Sequence, residues 1–213
     1  MMKIILLAVL MLLAPTKNAR ALDNKIFLDV GINENLGRSL DRNLTFTDET
    51  GQTVTLGKYF DGHRPVSLSL VYYSCPGLCN FHLNNLIDSL QKIDWSIGAQ
   101  FQVLAISFDP KETAELGAIK RLSYLEIYRR PEAESGLHFL TATQASVDQL
   151  TEQIGFKYKW NEEAQEWSHA SAAVILSPEG KISRYLHGST QDPQVFKMAL
   201  NEATDGQLGS LID

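Results

Sequence analysis

The feature that most restricts the fold is an apolar run that breaks into a cysteine-bearing turn. Residues 66–73 (Val-Ser-Leu-Ser-Leu-Val-Tyr-Tyr) are mostly apolar, as a strand covered on both faces should be. Ser74-Cys75-Pro76-Gly77-Leu78-Cys79 follows at once, and a helical stripe of Leu83, Leu86 and Leu90 then takes over. On this reading Cys75 falls at the helix N-cap and Pro76 at the first helical position, where its missing N–H has no intrahelical partner to lose. Cys79 lies one turn on, on the same face. Free N–H groups and the positive end of the helix dipole favour thiolate there. Two acidified sulfurs at the exposed end of a strand–helix junction are therefore expected.

These are the only two cysteines of the 213-residue chain. Helix geometry separates Cβ atoms at i and i+4 by about 5–6 Å, whereas a relaxed disulfide needs about 3.5–4.5 Å. A Cys75–Cys79 disulfide then forms only with local distortion, and is easily reduced. A soft metal fits better, because bonds near 2.3 Å bring two sulfurs of a trigonal site about 4 Å apart. The plain alternative is a pair of core cysteines, but Pro76 and Gly77 shape a junction rather than a packing surface.

Residues 1–21 read as a cleavable signal peptide: Lys3, an apolar stretch over 4–14, and Ala19-Arg20-Ala21 as a small-x-small cleavage site. The stretch is shorter than the about 20 residues of a spanning helix. The mature chain is expected to start at Leu22, without a membrane span, in an oxidising compartment where a thiol pair needs a partner, a metal or a reductant. Losing the leader removes three basic residues and no acid, so the net charge moves from −6 to −9. That balance argues against nucleic acid, whose phosphates want a basic face.

Residues 22–43 are polar and read as a loosely attached arm. Residues 45–56 alternate around Glu49-Thr50-Gly51-Gln52, a hairpin signature. Strand 66–73, helix 78–93, strand 101–108, helix 113–129, a short strand 138–141 and a helix 147–154 closed by Gly155 follow. Strands 156–160, 171–176 and 181–186 come next, and Asp192-Pro193 opens a last helix to about 203. This order predicts one α/β domain over 44–204 with a tail over 205–213. The expected architecture is a thioredoxin-like sandwich: a central mixed β-sheet flanked by helices on both faces, with an N-terminal β-hairpin. Right-handed crossovers put the site at the end of the first buried strand, where Cys75 lies.

Tyr-Ser-Cys75-Pro-Gly-Leu-Cys79, Ser107-Phe108-Asp109-Pro110, His169 ahead of an apolar strand, Ser177-Pro178-Glu179-Gly180-Lys181 and Arg184-Tyr185 together resemble the Sco/SenC family, over about 44–203. The resemblance implies a copper protein associated with building the dinuclear copper centre of cytochrome c oxidase. It implies Cys75 and Cys79 as the paired copper ligands and His169 as the third. The donor chemistry agrees, since copper(I) favours thiolates with imidazole and zinc would usually want a fourth donor. Two neighbouring positions depart from the family pattern: Ser168, where many relatives are acidic, and Asn80, where some carry proline.

The expected function is a periplasmic metallochaperone. It would hold copper, as Cu(I) or Cu(II), and pass it by ligand exchange to the copper-site subunit of cytochrome c oxidase or another periplasmic copper protein. A rival reading is a thiol–disulfide reductase with Cys75 and Cys79 as redox pair, keeping the cysteines of a copper site reduced. Against it, the pair is one residue wider than Cys-x-x-Cys, and no proline precedes 172–174. A peroxidase would need an Arg near Cys75, and none is identifiable. A third reading is an assembly factor whose cysteines are dispensable.

His82 shares the helical face of both cysteines and is the rival ligand, though packing beside Leu86 or a hydrogen bond to the preceding turn is the favoured reading. His63 and His187 read as surface residues and His138 as a core or edge residue. Asp109 is expected either to bond the cysteine turn or a ligand imidazole, or to cap the next helix. Of Tyr72 and Tyr73, alternation puts one in the core and the other near the metal. Trp160 and Trp167 flank an acidic hairpin tip (Glu162, Glu163, Glu166) that reads as solvated, or as a docking surface.

Overall fold

The computed structural model describes residues 29–209. The expected leader over 1–21 lies outside the described residues, as do residues 22–28 and 210–213. A two-residue strand β1 (Gly31–Ile32) comes first, then a hairpin of β2 (Thr45–Thr47) and β3 (Thr53–Thr55). The buried strand β4 (Val66–Val71) leads through α1 (Leu78–Gln91) to β5 (Gln102–Ser107), then through α2 (Ala114–Tyr128) to β6 (Leu137–Leu140). After α3 (Gln144–Ile154), a second hairpin of β7 (Phe156–Asn161) and β8 (Glu166–His169) precedes β9 (Ala172–Leu176), β10 (Ile182–His187) and α4 (Pro193–Thr204).

The central sheet has the order β10-β9-β4-β5-β6. Strands β4, β5 and β6 run parallel, β9 runs antiparallel to β4, and β10 antiparallel to β9. This is the expected mixed sheet flanked by four helices. Every residue of β4 and β5 is buried, which is why both read as almost unbroken apolar runs. The two crossovers step the same way along the sheet, so right-handedness sets α1 and α2 on one face. There the Tyr124 hydroxyl donates to Asn84 Oδ1 at 3.1 Å. Side-chain caps fix the starts of the later helices: Thr113 for α2, Thr143 for α3 and Asp192 for α4. The Thr143 cap starts α3 three residues ahead of its first strongly apolar position, Val147. No helix among the described residues is long and apolar enough to cross a membrane.

A second, three-stranded sheet of order β1-β7-β8 was not expected from the sequence. It also corrects the loose arm. Gly31 and Ile32 pair with Lys157 and Phe156, the Asn33 N–H donates to the Gly155 carbonyl at 2.8 Å, and the Leu40 N–H to the Gly180 carbonyl at 3.0 Å. Leu40 and Leu44 are buried. The attachment is largely main-chain, so side-chain polarity gave no sign of it.

Gly155 ends α3 with φ +76, and a Cβ added there would collide with the Asn33 carbonyl oxygen. Gly155→Ala should therefore cost more than the about 1–2 kcal/mol of the left-handed backbone alone. Denaturant titration measures it; an unchanged midpoint would mean that residue 33 is not held against α3.

Candidate metal centre

Beyond β4 the chain alternates once more. Tyr73 turns into the core under α2, its hydroxyl donating to the Leu140 carbonyl (2.6 Å) beside the Ala105 carbonyl (2.9 Å). Tyr72 turns the other way, its ring 5.8 Å from that of His169. The Cys75 N–H then closes a turn onto the Tyr72 carbonyl at 3.3 Å. Gly77 is the N-cap and Leu78 the first residue of α1, so Cys75 and Pro76 lie ahead of the helix and the expected N-cap role is corrected. The i,i+4 separation of a regular helix consequently does not apply to the two sulfurs. The helix N-terminus still acts on Cys75, because its sulfur accepts the Cys79 N–H at 3.3 Å. Cys79 sits in the first turn of α1 and its sulfur accepts the Tyr72 N–H at 3.4 Å.

Both cysteines are free thiols, 4% and 1% exposed, so the junction is covered rather than exposed. They also differ in acidity. Burial opposes the Cys75 thiolate, but hydrogen bonds from the Tyr72 hydroxyl and the Cys79 and Gly77 N–H groups outweigh it and hold the thiol below its ordinary range. Burial dominates at Cys79, and with the neighbouring charge of Cys75 and that of Glu112 it drives this thiol far up despite the Tyr72 N–H. One sulfur is acidified, not two.

His169 ends β8 and reaches the sulfurs from the second sheet. Its Nδ1 lies 2.7 Å from the Ala170 carbonyl, which can only accept, so Nδ1 carries the proton and Nε2 presents its lone pair 3.2 Å from the Cys79 sulfur. Phe108 and Phe156 stand at 5.2 and 6.2 Å from its ring. Burial lowers its pKa and favours the neutral imidazole that a metal needs. The donor atoms of Cys75, Cys79 and His169 all lie within 4.8 Å of one another. The fold thus gathers two soft sulfurs and one nitrogen, a set able to hold a metal ion.

The other histidines lie elsewhere. His82 is buried against β4 with Nε2 2.9 Å from the Ser69 hydroxyl, and burial lowers its pKa to about 4. His138 meets Glu49 at 3.1 Å, His187 is exposed beside Glu34, and His63 is exposed. Asp109 does neither thing expected of it. Its Oδ1 accepts the Lys111 N–H, while Oδ2 accepts the Trp167 indole N–H at 3.0 Å, which ties the strand bearing His169 to the end of β5. Trp160 and Trp167 are register partners with rings 5.2 Å apart, and the tip between them is exposed.

Sequence reasoning missed two polar anchors of the cysteine turn. The Glu112 carboxylate accepts the Tyr73 N–H (2.6 Å), the Ser74 N–H and hydroxyl (both 2.7 Å) and the Ser107 hydroxyl (2.6 Å). Asn80 donates to the Cys75 carbonyl at 2.7 Å and accepts from Lys120 at 2.8 Å. One signal was present: an acid directly ahead of a helix that Thr113 already caps is free to serve elsewhere.

Among solved structures, a protein of Aquifex aeolicus VF5 has a TM-score of 0.71 and 25% identity, covering 81% of this chain and 95% of its own. Arabidopsis thaliana ScoI with copper bound has a TM-score of 0.61 and 18% identity, covering 80% and 99%. BsSco, described as a member of the Sco family of cytochrome c oxidase assembly proteins, has a TM-score of 0.60 and 18% identity, covering 81% and 98%. At 18% identity the last two establish the shared fold. No curated protein sequence matches the chain. The SCO1/SenC family model matches residues 33–204, a span that includes Cys75, Cys79 and His169. On that match, and in keeping with its fold, the chain belongs to the SCO1/SenC family.

Proposed function

We propose that the chain is a periplasmic copper carrier that holds copper on Cys75, Cys79 and His169 and delivers it to the dinuclear copper site of cytochrome c oxidase. One observation carries this reading: two sulfurs and an unprotonated imidazole nitrogen converge within 4.8 Å, with no other His, Asp or Glu of the described residues joining them. The donors fit copper(I), which prefers thiolate and imidazole in low coordination. The copper held by Arabidopsis ScoI and the oxidase-assembly family of BsSco support the cargo and the recipient. The leader expected over 1–21 supports the compartment. With three protein donors among the described residues, an incoming thiolate of the recipient adds to the ion before an old ligand leaves, which suits transfer over storage.

The reduced mature protein is expected to bind one copper per chain. His169→Ala should weaken the ion and abolish the charge-transfer band of the copper(II) form, which relies on the nitrogen donor. His82→Ala should keep the band while costing about 2 kcal/mol or more of stability, since it opens a cavity and strips the buried Ser69 hydroxyl of its partner. If His82→Ala erases the band and His169→Ala leaves it, the assignment is wrong.

A reductase is the second reading, favoured by the unequal thiols. An acidified Cys75 beside a Cys79 kept protonated is the pattern of an attacking thiolate and its resolving partner.

A further inference from the structure

Cys79 is placed by a helix and His169 by a strand, but Cys75 belongs to no regular element. What fixes it is polar. Glu112 takes two donors on each carboxylate oxygen, from Tyr73, Ser74 and Ser107, and so joins the end of β4, the end of β5 and the start of α2. Bonds to a carboxylate are about twice as strong as neutral ones. On the other side of Cys75, its carbonyl is held by Asn80, itself held by Lys120 of α2. Residues at both ends of Cys75 are thereby gripped from α2 and from the residue just ahead of its cap. Glu112 has no competing duty at its own helix, because Thr113 provides the cap.

We propose that Glu112 is a positioning residue of the metal centre, holding the turn 73–75 so that the Cys75 sulfur stays within reach of Cys79 and His169 before any ion arrives. The proposal rests on the copper reading for its ligand, while the grip itself exists in the metal-free chain. Donor atoms must be kept within about 0.5 Å of their working positions. A turn already ordered spares the ion that entropic cost. Losing a supporting partner of a metal ligand typically costs about 10–100-fold in affinity.

The test is Glu112→Gln in the full mature chain, reduced, with copper(I) titrated against a chelator. The substitution puts an NH2 group where N–H and O–H donors point. Affinity should fall about 10–100-fold with one ion still bound, and the charge-transfer band of the copper(II) form should shift. Glu112→Asp, which keeps the charge on a shorter arm, should recover part of the loss. In the metal-free protein, hydrogen exchange at the Tyr73 and Ser74 amides should quicken by about tenfold or more. Wild-type affinity with an unshifted band in folded Glu112→Gln overturns the proposal, and so does unchanged exchange at those two amides. Should Glu112→Gln not fold, a Ser74→Ala, Ser107→Ala double variant removes two of the four donors; a smaller loss is expected, and none overturns the proposal. A wild-type chain that binds no copper sinks the copper reading instead, and the amide exchange then decides the grip on its own.

Discussion

Replacing either Cys75 or Cys79 by Ser is expected to abolish tight copper binding. Losing a supporting partner alone costs about 10–100-fold, so losing a ligand should cost more than about a hundredfold. A serine hydroxyl is a hard, protonated oxygen in place of the thiolate that copper(I) prefers. Cys75→Ser is the cleaner of the two. The Cys75 sulfur accepts the Cys79 N–H at the start of α1, and a serine oxygen serves well in such capping positions. The fold should therefore stay while the soft donor goes. Copper retained per chain after dialysis against a chelator, with circular dichroism as the check on folding, reads both variants. Full occupancy in both singles would remove the two-thiolate site from consideration.

Phe108→Ala should produce the largest loss of stability, about 3–5 kcal/mol on the scale of buried Phe truncations. Native domains have only about 5–15 kcal/mol in total, so this is a large part of the whole. Phe108 is fully buried and its ring meets Tyr72, Phe156, Tyr158, Trp167 and His169 at 4.7 to 6.2 Å. It packs the second sheet onto the end of β5. Urea titration of the metal-free protein measures the loss. A change below about 1 kcal/mol, the centre of ordinary point substitutions, would mean that β7 and β8 are not docked as described.

The elements that the sequence made legible are those whose signal is local. The runs at 66–73 and 101–108 are buried on both sides, so periodicity marked β4 and β5, and Gly155 and Asp192-Pro193 marked helix ends within a residue or two. The cysteine pair and His169 were legible as motifs, and the structure brings their donor atoms together. The N-cap at Cys75 was misread because its N–H is spent on the Tyr72 carbonyl, a turn that delays α1 to Leu78. The low acidity of Cys79 was hidden because burial, which outweighs the helix terminus there, is a property of the assembled core. Asp109 was placed near the site, but its true partner Trp167 lies 58 residues further on, on a hairpin whose docking no local pattern announces. Glu112 and β1 escaped for the same reason, since their partners lie far off in the chain. Glu112 takes the Tyr73 and Ser74 N–H groups across 39 and 38 residues, and β1 pairs with β7 through the main chain, which leaves no trace in side-chain patterning.

Cys79 and His169 stand 90 residues apart in the chain, one on α1 of the central sheet's layer and the other on a separate sheet. An ion bound to both is a removable cross-link. By the loop-entropy account a permanent bridge across about 100 residues is worth about 4.7 kcal/mol. A bound copper ion therefore doubles as a staple for the protein that holds it. On the proposed carrier function, each delivery unfastens the protein that makes it, leaving spent copies easier to unfold and easier for proteases to clear than loaded ones.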